Sequence, residues 1–180
     1  MANQGGIDGE LFRGNINRDE FPNLLCIPVP ILNIEIVVFT KDVEFEVTGW
    51  DSLQPYTIGF QVGMKRIETG TKGMQVESVT TTEQLFMKLA AGRNDIVVLP
   101  RDLGMDVLKS MMVLGSDVIN LNTLQGIKVL EPPLYRDFLY HHLHSKHAEL
   151  VPKITAALQE MADEKLIRHI TEEVEAEFLE

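Results

Sequence analysis

Apolar residues over positions 74–101 change their spacing twice. Met74–Val79 alternates between apolar and polar residues, as a strand with one buried face does. The apolar positions that follow have helical spacing, at Leu85, Phe86, Leu89 and Ala90. Asp95–Pro100 is then dominated by apolar residues, which is typical of a parallel strand covered on both faces. The stretch therefore predicts a strand, a helix and a second strand in that order.

Polar residues mark the ends of this helix. Thr80-Thr-Thr-Glu83 matches a capping box, in which a threonine and an acidic residue three positions later satisfy the first free N–H groups. Gly92 follows the last apolar position, where glycine commonly ends a helix. With the apolar run Tyr56–Val62 before it, the pattern predicts a βαβ unit. Its parallel strands are expected near 56–62, 74–79 and 95–100, and its helix near 81–91.

The same patterns predict the remaining elements. Further strands are expected at 23–28, 34–40, 119–121 and 127–130. Further helices are expected at 64–69, 101–114, 150–161 and 166–174. Leu134–Leu143 fits either a strand or a helix, and Pro132-Pro133 blocks any helix through that point. The alternation of strands and helices indicates an α/β fold.

Composition limits the class of protein. The chain has 180 residues, of which 44% are hydrophobic, and this is enough for one core or two small lobes. Its net charge of −11 argues against nucleic-acid binding, which usually requires a basic surface. Cys26 is the single cysteine, so no disulfide forms within the chain. No apolar run approaches the roughly 18 residues that indicate a membrane-spanning helix.

The first residues, MANQGGIDGE, contain no apolar run of the kind found in a signal peptide. A chain that begins naturally at Met1 is therefore expected to stay in the cytoplasm.

Three groups of residues occur in an order that resembles one known family. The first is Gly6-Ile-Asp-Gly-Glu-Leu-Phe-Arg13, followed by Phe21-Pro-Asn-Leu24. The second is Trp50-Asp-Ser-Leu53 with Tyr56-Thr-Ile-Gly59 and the βαβ unit, which ends in Leu89-Ala-Ala-Gly-Arg-Asn-Asp95. The third is Leu139-Tyr-His-His-Leu-His-Ser-Lys-His147 with Glu149-Leu-Val-Pro152. Together these groups resemble the type 2 periplasmic solute-binding proteins of family 3, which serve ABC transporters.

The resemblance implies two lobes joined by two crossing strands, near Val37–Lys41 and Leu134–Leu143. A complete lobe 2 is expected at residues 43–133, and an incomplete lobe 1 at residues 1–42 and 134–180. Members of the family normally have a strand–helix–strand–helix segment before the motif at Ile7. The chain is therefore expected to be N-terminally truncated relative to the family.

The implied function is binding of a small polar or anionic solute and its delivery to the membrane subunits of an ABC transporter, without catalysis and without a cofactor. The implied location is the periplasm. Two departures bear on the solute. The amino-acid-binding members resemble G-T or G-S where this chain has Gly63-Met64, and they often have an acidic residue at the position of Pro100. A plain α-amino acid is therefore not the expected ligand.

Candidate ligand-binding residues are Gly63, Met64, Lys65, Arg66 and Arg101. Residues 63–66 combine a glycine, an expected helix start and two cations, and free N–H groups at such a start favour anions. A turn glycine followed by two solvated cations explains the same residues. Arg101 follows the strand Asp95–Pro100, at the end where open α/β sheets bind ligands. A surface ion pair with Asp102 is the alternative, and the pattern alone favours it.

Catalytic and metal sites are not expected. His141, His142, His144 and His147 cluster, but no nearby Cys, Asp or Glu completes an obvious set, and a metal needs three or four oriented ligands. No serine has the context of a nucleophile, and the phosphate-binding glycine motifs are absent. Two other hypotheses remain. One is an enzyme of the same fold, such as a dehydratase, and the other is a truncated module that binds no ligand and forms homo-oligomers through its lobe 1 remnant.

Overall fold

The computed structural model describes residues 1–14, 18–114 and 121–177. The chain divides into two compact units. Unit 1 contains residues 1–33 and 137–180, and unit 2 contains residues 34–136. The chain passes between the units twice, once within each of two strands of 17 residues, Leu24–Thr40 and Lys128–His144. The prediction of two crossing strands is therefore confirmed. The second crossing lies within the predicted Leu134–Leu143, whereas the first lies at residues 33–34, before the predicted Val37–Lys41.

The regular elements follow one another along the chain. The strands are β1 Gly9–Arg13, β2 Leu24–Thr40, β3 Ile58–Gln61, β4 Val76–Val79, β5 Ile96–Pro100 and β6 Lys128–His144. The α-helices are α1 Lys65–Gly70, α2 Thr82–Ala90, α3 Arg101–Leu114, α4 Leu121–Leu124, α5 Val151–Asp163 and α6 Leu166–Glu177. Short 3-10 helices occur at Ala2–Gln4, Trp50–Leu53 and Ser145–Leu150. The predicted strand at 119–121 lies outside the described residues except for Leu121, which begins α4 and so does not end a strand as predicted.

Unit 2 contains the predicted βαβ unit. Its strands lie in the order β2-β5-β3-β4, so β3 is flanked by β5 and β4. Both flanking strands pair with β3 in parallel, whereas β2 pairs with β5 in antiparallel fashion. The prediction of parallel strands joined by a helix at 82–90 is confirmed, and with it the α/β fold.

Alternate residues of each strand point to opposite faces of the sheet of unit 2, and both faces are covered. One face packs Val38, Ile58 and Val98 against Ile67 of α1. The other face packs Val37 and Val97 against residues of α2 and α3, which are Leu85, Phe86, Leu89, Leu108 and Met111. The continuous apolar run of β5 follows from this double coverage.

The start of α2 differs by one residue from the predicted capping box. Thr81, not Thr80, is the N-cap, and its hydroxyl accepts from the N–H of Gln84. The side-chain oxygen of Gln84 accepts a hydrogen bond from the N–H of Thr80 at 3.3 Å. Because three threonines stand in a row and a glutamine follows the glutamate, the sequence offers two overlapping boxes. In the structure the helix begins after Thr81, and its Leu85 and Leu89 pack into the core.

Close approaches at Gly59 and Gly104 in unit 2 require glycine. A Cβ on Gly59 of β3 would overlap the side-chain amide of Asn94 and approach Leu85 and Val97 to 3.1 Å. A Cβ on Gly104 of α3 would overlap the ring of Phe39, which is fully buried. These glycines let the segment before β5 and the helix α3 lie directly on the sheet.

Unit 1 is built from β1, the first part of β2, most of β6 and the helices α5 and α6. β1 pairs with β6 in antiparallel fashion, with Gly9 opposite Leu143. Leu134–Leu143 lies within β6, so the choice between strand and helix is resolved as strand. β2 is longer than either strand predicted for it. Pro28 and Pro30 occupy exposed positions that alternate with buried Ile27 and Val29, and proline tolerates extended backbone.

Unit 1 has a much smaller interior than unit 2. Among the described residues its buried apolar side chains are Ala2, Leu24, Ile27, Val29 and Leu143. No side chain of α5 is fully buried. Several large apolar side chains of unit 1 are exposed instead, namely Ile7, Leu11, Phe12, Phe138, Leu150, Leu166 and Ile170. No described helix has the length and apolar character needed to cross a membrane.

Candidate ligand-binding edge of unit 2

The carboxyl ends of β3, β4 and β5 lie at one edge of the unit 2 sheet, because these strands are parallel. From β3 the chain goes to β4 on one side and then crosses back over β3 to β5 on the other. The connecting helices α1 and α2 pack on opposite faces of the sheet. Loops that diverge in this way leave a crevice beyond the strand ends, where open α/β sheets bind ligands.

The predicted loop at residues 63–66 follows β3 at this edge. Gly63 has a φ of 95°, so it adopts the left-handed backbone conformation that favours glycine. Its N–H donates to the Glu68 carboxylate at 2.9 Å, and the Lys65 ammonium lies 2.9 Å from the same carboxylate. Hydrogen bonds from Lys65 and from Gly63 hold the pKa of Glu68 below its usual value. The anion-binding donors predicted here thus already contact a carboxylate of this chain.

Met64 and Arg66 take different roles in the loop. Met64 is half-buried and packs against both hydrophobic clusters of unit 2. Arg66 lies over the ring of Tyr135, with its guanidinium carbon 5.0 Å from the ring centre. Tyr135 in turn contacts Trp50 at a centroid distance of 5.4 Å. Trp50 is therefore a packing residue within unit 2.

Arg101 stands at the carboxyl end of β5 and belongs to a network of four charged side chains. Its Nε donates to Glu35 at 2.7 Å, and its Nη2 donates to Glu131 at 2.8 Å. Arg136 contacts the other oxygen of Glu35 through Nε at 2.9 Å and through Nη2 at 2.8 Å. The partners of Arg101 are thus Glu35 and Glu131, and the alternative ion pair with Asp102 does not form.

The network fixes the orientation of Arg101. Its side chain is 27% exposed, as is that of Glu35. The hydrogen bond from Arg101 is the main cause that holds the pKa of Glu35 below its usual value, so this carboxylate stays charged. Nη1 of Arg101 makes no hydrogen bond to the described part of the chain. Its N–H groups can therefore donate to another acceptor.

Sequence reasoning missed the other polar residues of this edge. Gln61 ends β3, and its amide oxygen accepts from the Thr82 hydroxyl at 2.9 Å. Its amide nitrogen donates to the Thr80 carbonyl at 3.2 Å. Glu35 lies next to Ile36, which pairs with Pro100, so the antiparallel register brings it beside Arg101. Only this register could have identified Glu35, because 66 residues separate it from Arg101 in the sequence.

The histidines of unit 1 have separate hydrogen-bond partners. Among the described residues no group of three or more His, Cys, Asp or Glu side chains is arranged to hold a metal ion. His147 contacts Asp8 at 2.8 Å, and His144 accepts from the N–H of Lys146. Hydrogen bonds from Lys146 and His147 lower the pKa of Asp8 to about 2. The strand geometry of β6 separates His141 from His142, which face opposite sides of the sheet.

His142 is fully buried, and burial lowers its pKa from the ordinary value of 6.5. The Tyr140 carbonyl and Glu10 act in the opposite direction, whereas Arg13 and His141 add to the lowering. Below about pH 6.5 the unfolded chain binds a proton that the folded chain does not bind, so stability falls as the pH falls.

The expected result is a decrease in the free energy of unfolding of the wild type between about pH 7.5 and pH 5.5, measured by urea denaturation. His142→Gln should flatten this slope, because glutamine does not titrate. His169→Gln is the control and should keep the slope, since His169 is exposed on α6 and is not among the groups that shift the pKa of His142. An unchanged slope in His142→Gln would contradict the assignment.

A separate apolar cavity lies within unit 1. It has a volume of about 400 Å³ and lies between the strands and the two C-terminal helices. Its lining residues are Leu11, Ile31, His141, Ile154, Leu158, Met161, Ile167, Ile170 and Thr171. The two polar members are engaged locally, because Thr171 donates to the Ile167 carbonyl and His141 contacts the Leu11 carbonyl. The cavity therefore presents an almost wholly apolar surface.

Comparison with curated proteins gives a distant sequence relative. No protein-family model matches the chain. Among curated proteins, an uncharacterized protein of Shewanella oneidensis is 24% identical over 184 residues, covering 99% of this chain and 66% of the relative. The chain therefore spans just under two thirds of the length of that relative.

Comparison with solved structures gives many matches. An ancestral arginine-binding protein bound to glutamine has a TM-score of 0.65 at 19% identity, covering 96% of this chain and 72% of its own. The arginine-, lysine-, histidine-binding protein ArtJ from Geobacillus stearothermophilus has a TM-score of 0.63 at 18% identity, with coverages of 96% and 71%. A histidine kinase sensor domain with similarity to periplasmic binding proteins has a TM-score of 0.69 at 14% identity, again with coverages of 96% and 71%. These matches confirm that the chain has the fold of type 2 periplasmic binding proteins.

Proposed function

We propose that this chain is a solute-binding protein that recognises a small polar or anionic solute at the carboxyl-end edge of unit 2. The observation that carries the proposal is Arg101. It lies at the carboxyl end of β5, its orientation is held by Glu35 and Glu131, and its Nη1 has no acceptor among the described residues. A guanidinium group held in this way can donate to an incoming ligand without first giving up an internal hydrogen bond.

The function includes no chemical step. General acid–base catalysis needs a group with a pKa near the working pH, placed at the reacting atom. The carboxylates of this edge are instead held charged by ion pairs, because hydrogen bonds from arginine or lysine lower the pKa of Glu35 and Glu68. An enzyme of the same fold, the alternative, would show a bell-shaped dependence of rate on pH with a candidate substrate.

The structural relatives suggest where the bound solute would be used. One is described as the substrate binding protein of an amino acid ABC transporter, and another is the sensor domain of a histidine kinase. We propose delivery to the membrane subunits of an ABC transporter, on the periplasmic side of a membrane. A sensing role is the nearest alternative, and it would use the same binding edge.

The test is a thermal-shift screen with small carboxylates, phosphates, sugars and amides. A solute that binds only the folded chain raises its melting temperature in proportion to the logarithm of its concentration. Arg101→Gln should abolish or strongly reduce the shift given by any solute found. Arg93→Gln is the matched control, because Arg93 precedes β5 and therefore lies at the opposite end of that strand.

The loop at residues 63–66 is tested in the same screen. Lys65→Ala combined with Arg66→Ala should reduce the shift if these residues also contact the solute. An unchanged shift in this double variant would remove the loop from the site and leave Arg101. An unchanged shift in Arg101→Gln would contradict the proposed site.

A further inference from the structure

Charges at the binding edge are balanced within the chain. Arg101 and Arg136 carry two positive charges, and Glu35 and Glu131 carry two negative charges, all within one connected network. The same balance occurs at the nearby loop, where Lys65 is paired with Glu68. A site that binds an anion gains most when it holds uncompensated positive charge, because the ligand then supplies the missing partner.

The two carboxylates that contact Arg101 differ in how they are held. Glu35 is 27% exposed and contacts both arginines, so it fixes the guanidinium group of Arg101 in place. Glu131 is 61% exposed and contacts Arg101 through a single oxygen, at Nη2. An acceptor that approaches Nη1 of Arg101 would therefore lie close to the negative charge of Glu131, because Nη1 and Nη2 belong to the same group.

We propose that Glu131 determines the specificity of this edge by excluding anions from Arg101, so that the site takes an uncharged solute that carries hydroxyl or amide groups. This inference rests on the proposed function and narrows its solute class. An uncharged oxygen accepts from Nη1 without repulsion by Glu131, whereas a carboxylate or phosphate oxygen is repelled at close range. The exposed oxygens of Glu131 can also accept from the hydroxyl or amide N–H of such a solute.

The test measures succinate binding to the full chain, by isothermal titration and by thermal shift against sodium chloride of equal ionic strength. Glu131→Gln removes one negative charge, keeps the shape of the side chain and leaves Arg101 with one uncompensated charge. Succinate should bind this variant about tenfold or more tightly than it binds the wild type. Adding Arg101→Gln to Glu131→Gln should remove the gain.

Glu44→Gln is the matched control. Glu44 is an exposed residue of unit 2 that pairs with Lys128 at 2.7 Å, so its replacement changes the net charge equally without altering the contacts of Arg101. Equal gains in Glu44→Gln and Glu131→Gln would show an effect of net charge alone and would overturn the proposal. So would equal affinity in the wild type and Glu131→Gln, or the absence of succinate binding in every variant. Glu131→Ser serves as a second variant if Glu131→Gln does not give a cooperative urea melt.

These outcomes are distinct from a failure of the proposed function. That function fails if Arg101→Gln leaves the shift by a screened solute unchanged, and the succinate comparison does not depend on the screened solute. The proposed function and the proposed role of Glu131 are both supported if the wild type prefers sugars or amides and the Glu131→Gln variant binds succinate more tightly than the wild type does.

Discussion

Replacing Leu85 or Leu89 by alanine is expected to lower the free energy of unfolding by roughly 2–5 kcal/mol in each case. Both side chains are buried, at 0% and 1% exposure, on the face of α2 that covers the sheet of unit 2. Truncation removes apolar contacts with Val37 and Val97 and leaves a cavity that close-packed neighbours fill only in part.

Urea denaturation monitored by circular dichroism is the measurement. Met87→Ala on the same helix is the control, because Met87 is 43% exposed and its truncation removes far less buried surface. It should cost well under 1 kcal/mol, as surface substitutions usually do. Losses below about 1 kcal/mol for both leucine variants would mean that this face of α2 is not the buried one in solution.

The chain is expected to self-associate at micromolar concentration, with a scattering mass of at least twice the 20.3 kDa of one chain. Unit 1 holds an apolar cavity of about 400 Å³. Leu11 at 68% exposure and Ile170 at 45% line it, while Phe12 and Phe138 are also exposed. Large exposed apolar surfaces usually mark an interface, and a second copy of unit 1 offers a surface of the same chemistry.

Multi-angle light scattering over a concentration series checks this expectation. Ile170→Lys should shift the population toward monomer, because it places a charge at the mouth of the cavity. Val113→Lys is the control, since Val113 is 83% exposed on α3 of unit 2 and does not line the cavity. A compact monomer with a single cooperative melt would contradict the expectation. It would also remove the support for an oligomeric module as the alternative function.

Local sequence patterns were sufficient for the βαβ unit within unit 2. The helix at 82–90 and the strand at 96–100 follow from the spacing of apolar residues, because that spacing reflects which side of an element is buried. The pattern was less informative where two signals overlapped. The row of threonines allowed two capping positions, and in the structure α2 begins after Thr81.

Pairing between strands that are distant in the sequence determined the secondary structure where local patterns were ambiguous. β2 runs without interruption from Leu24 to Thr40, although the sequence suggested two strands separated near its prolines. In the sheet β2 lies between β6 and β5, and Pro28 and Pro30 are exposed positions within this extended strand. The choice between strand and helix at 134–143 was settled in the same way, since β1 pairs with β6 there.

In the candidate site, too, some features follow from the sequence and others only from the tertiary structure. The sequence alone predicted that Arg101 lies at the carboxyl-end edge of the sheet, because it follows a parallel strand, and the structure has it directly after β5. The pairing of Lys65 with Glu68 was not predicted, although the two residues are three positions apart on one helix, a spacing at which opposite charges can pair. Glu35 and Glu131, in contrast, reach Arg101 from 66 and 30 residues away. The tertiary structure alone decided these partners, because a strand register that brings distant residues together is set by the packing of the whole sheet and leaves no signal in the sequence around Arg101.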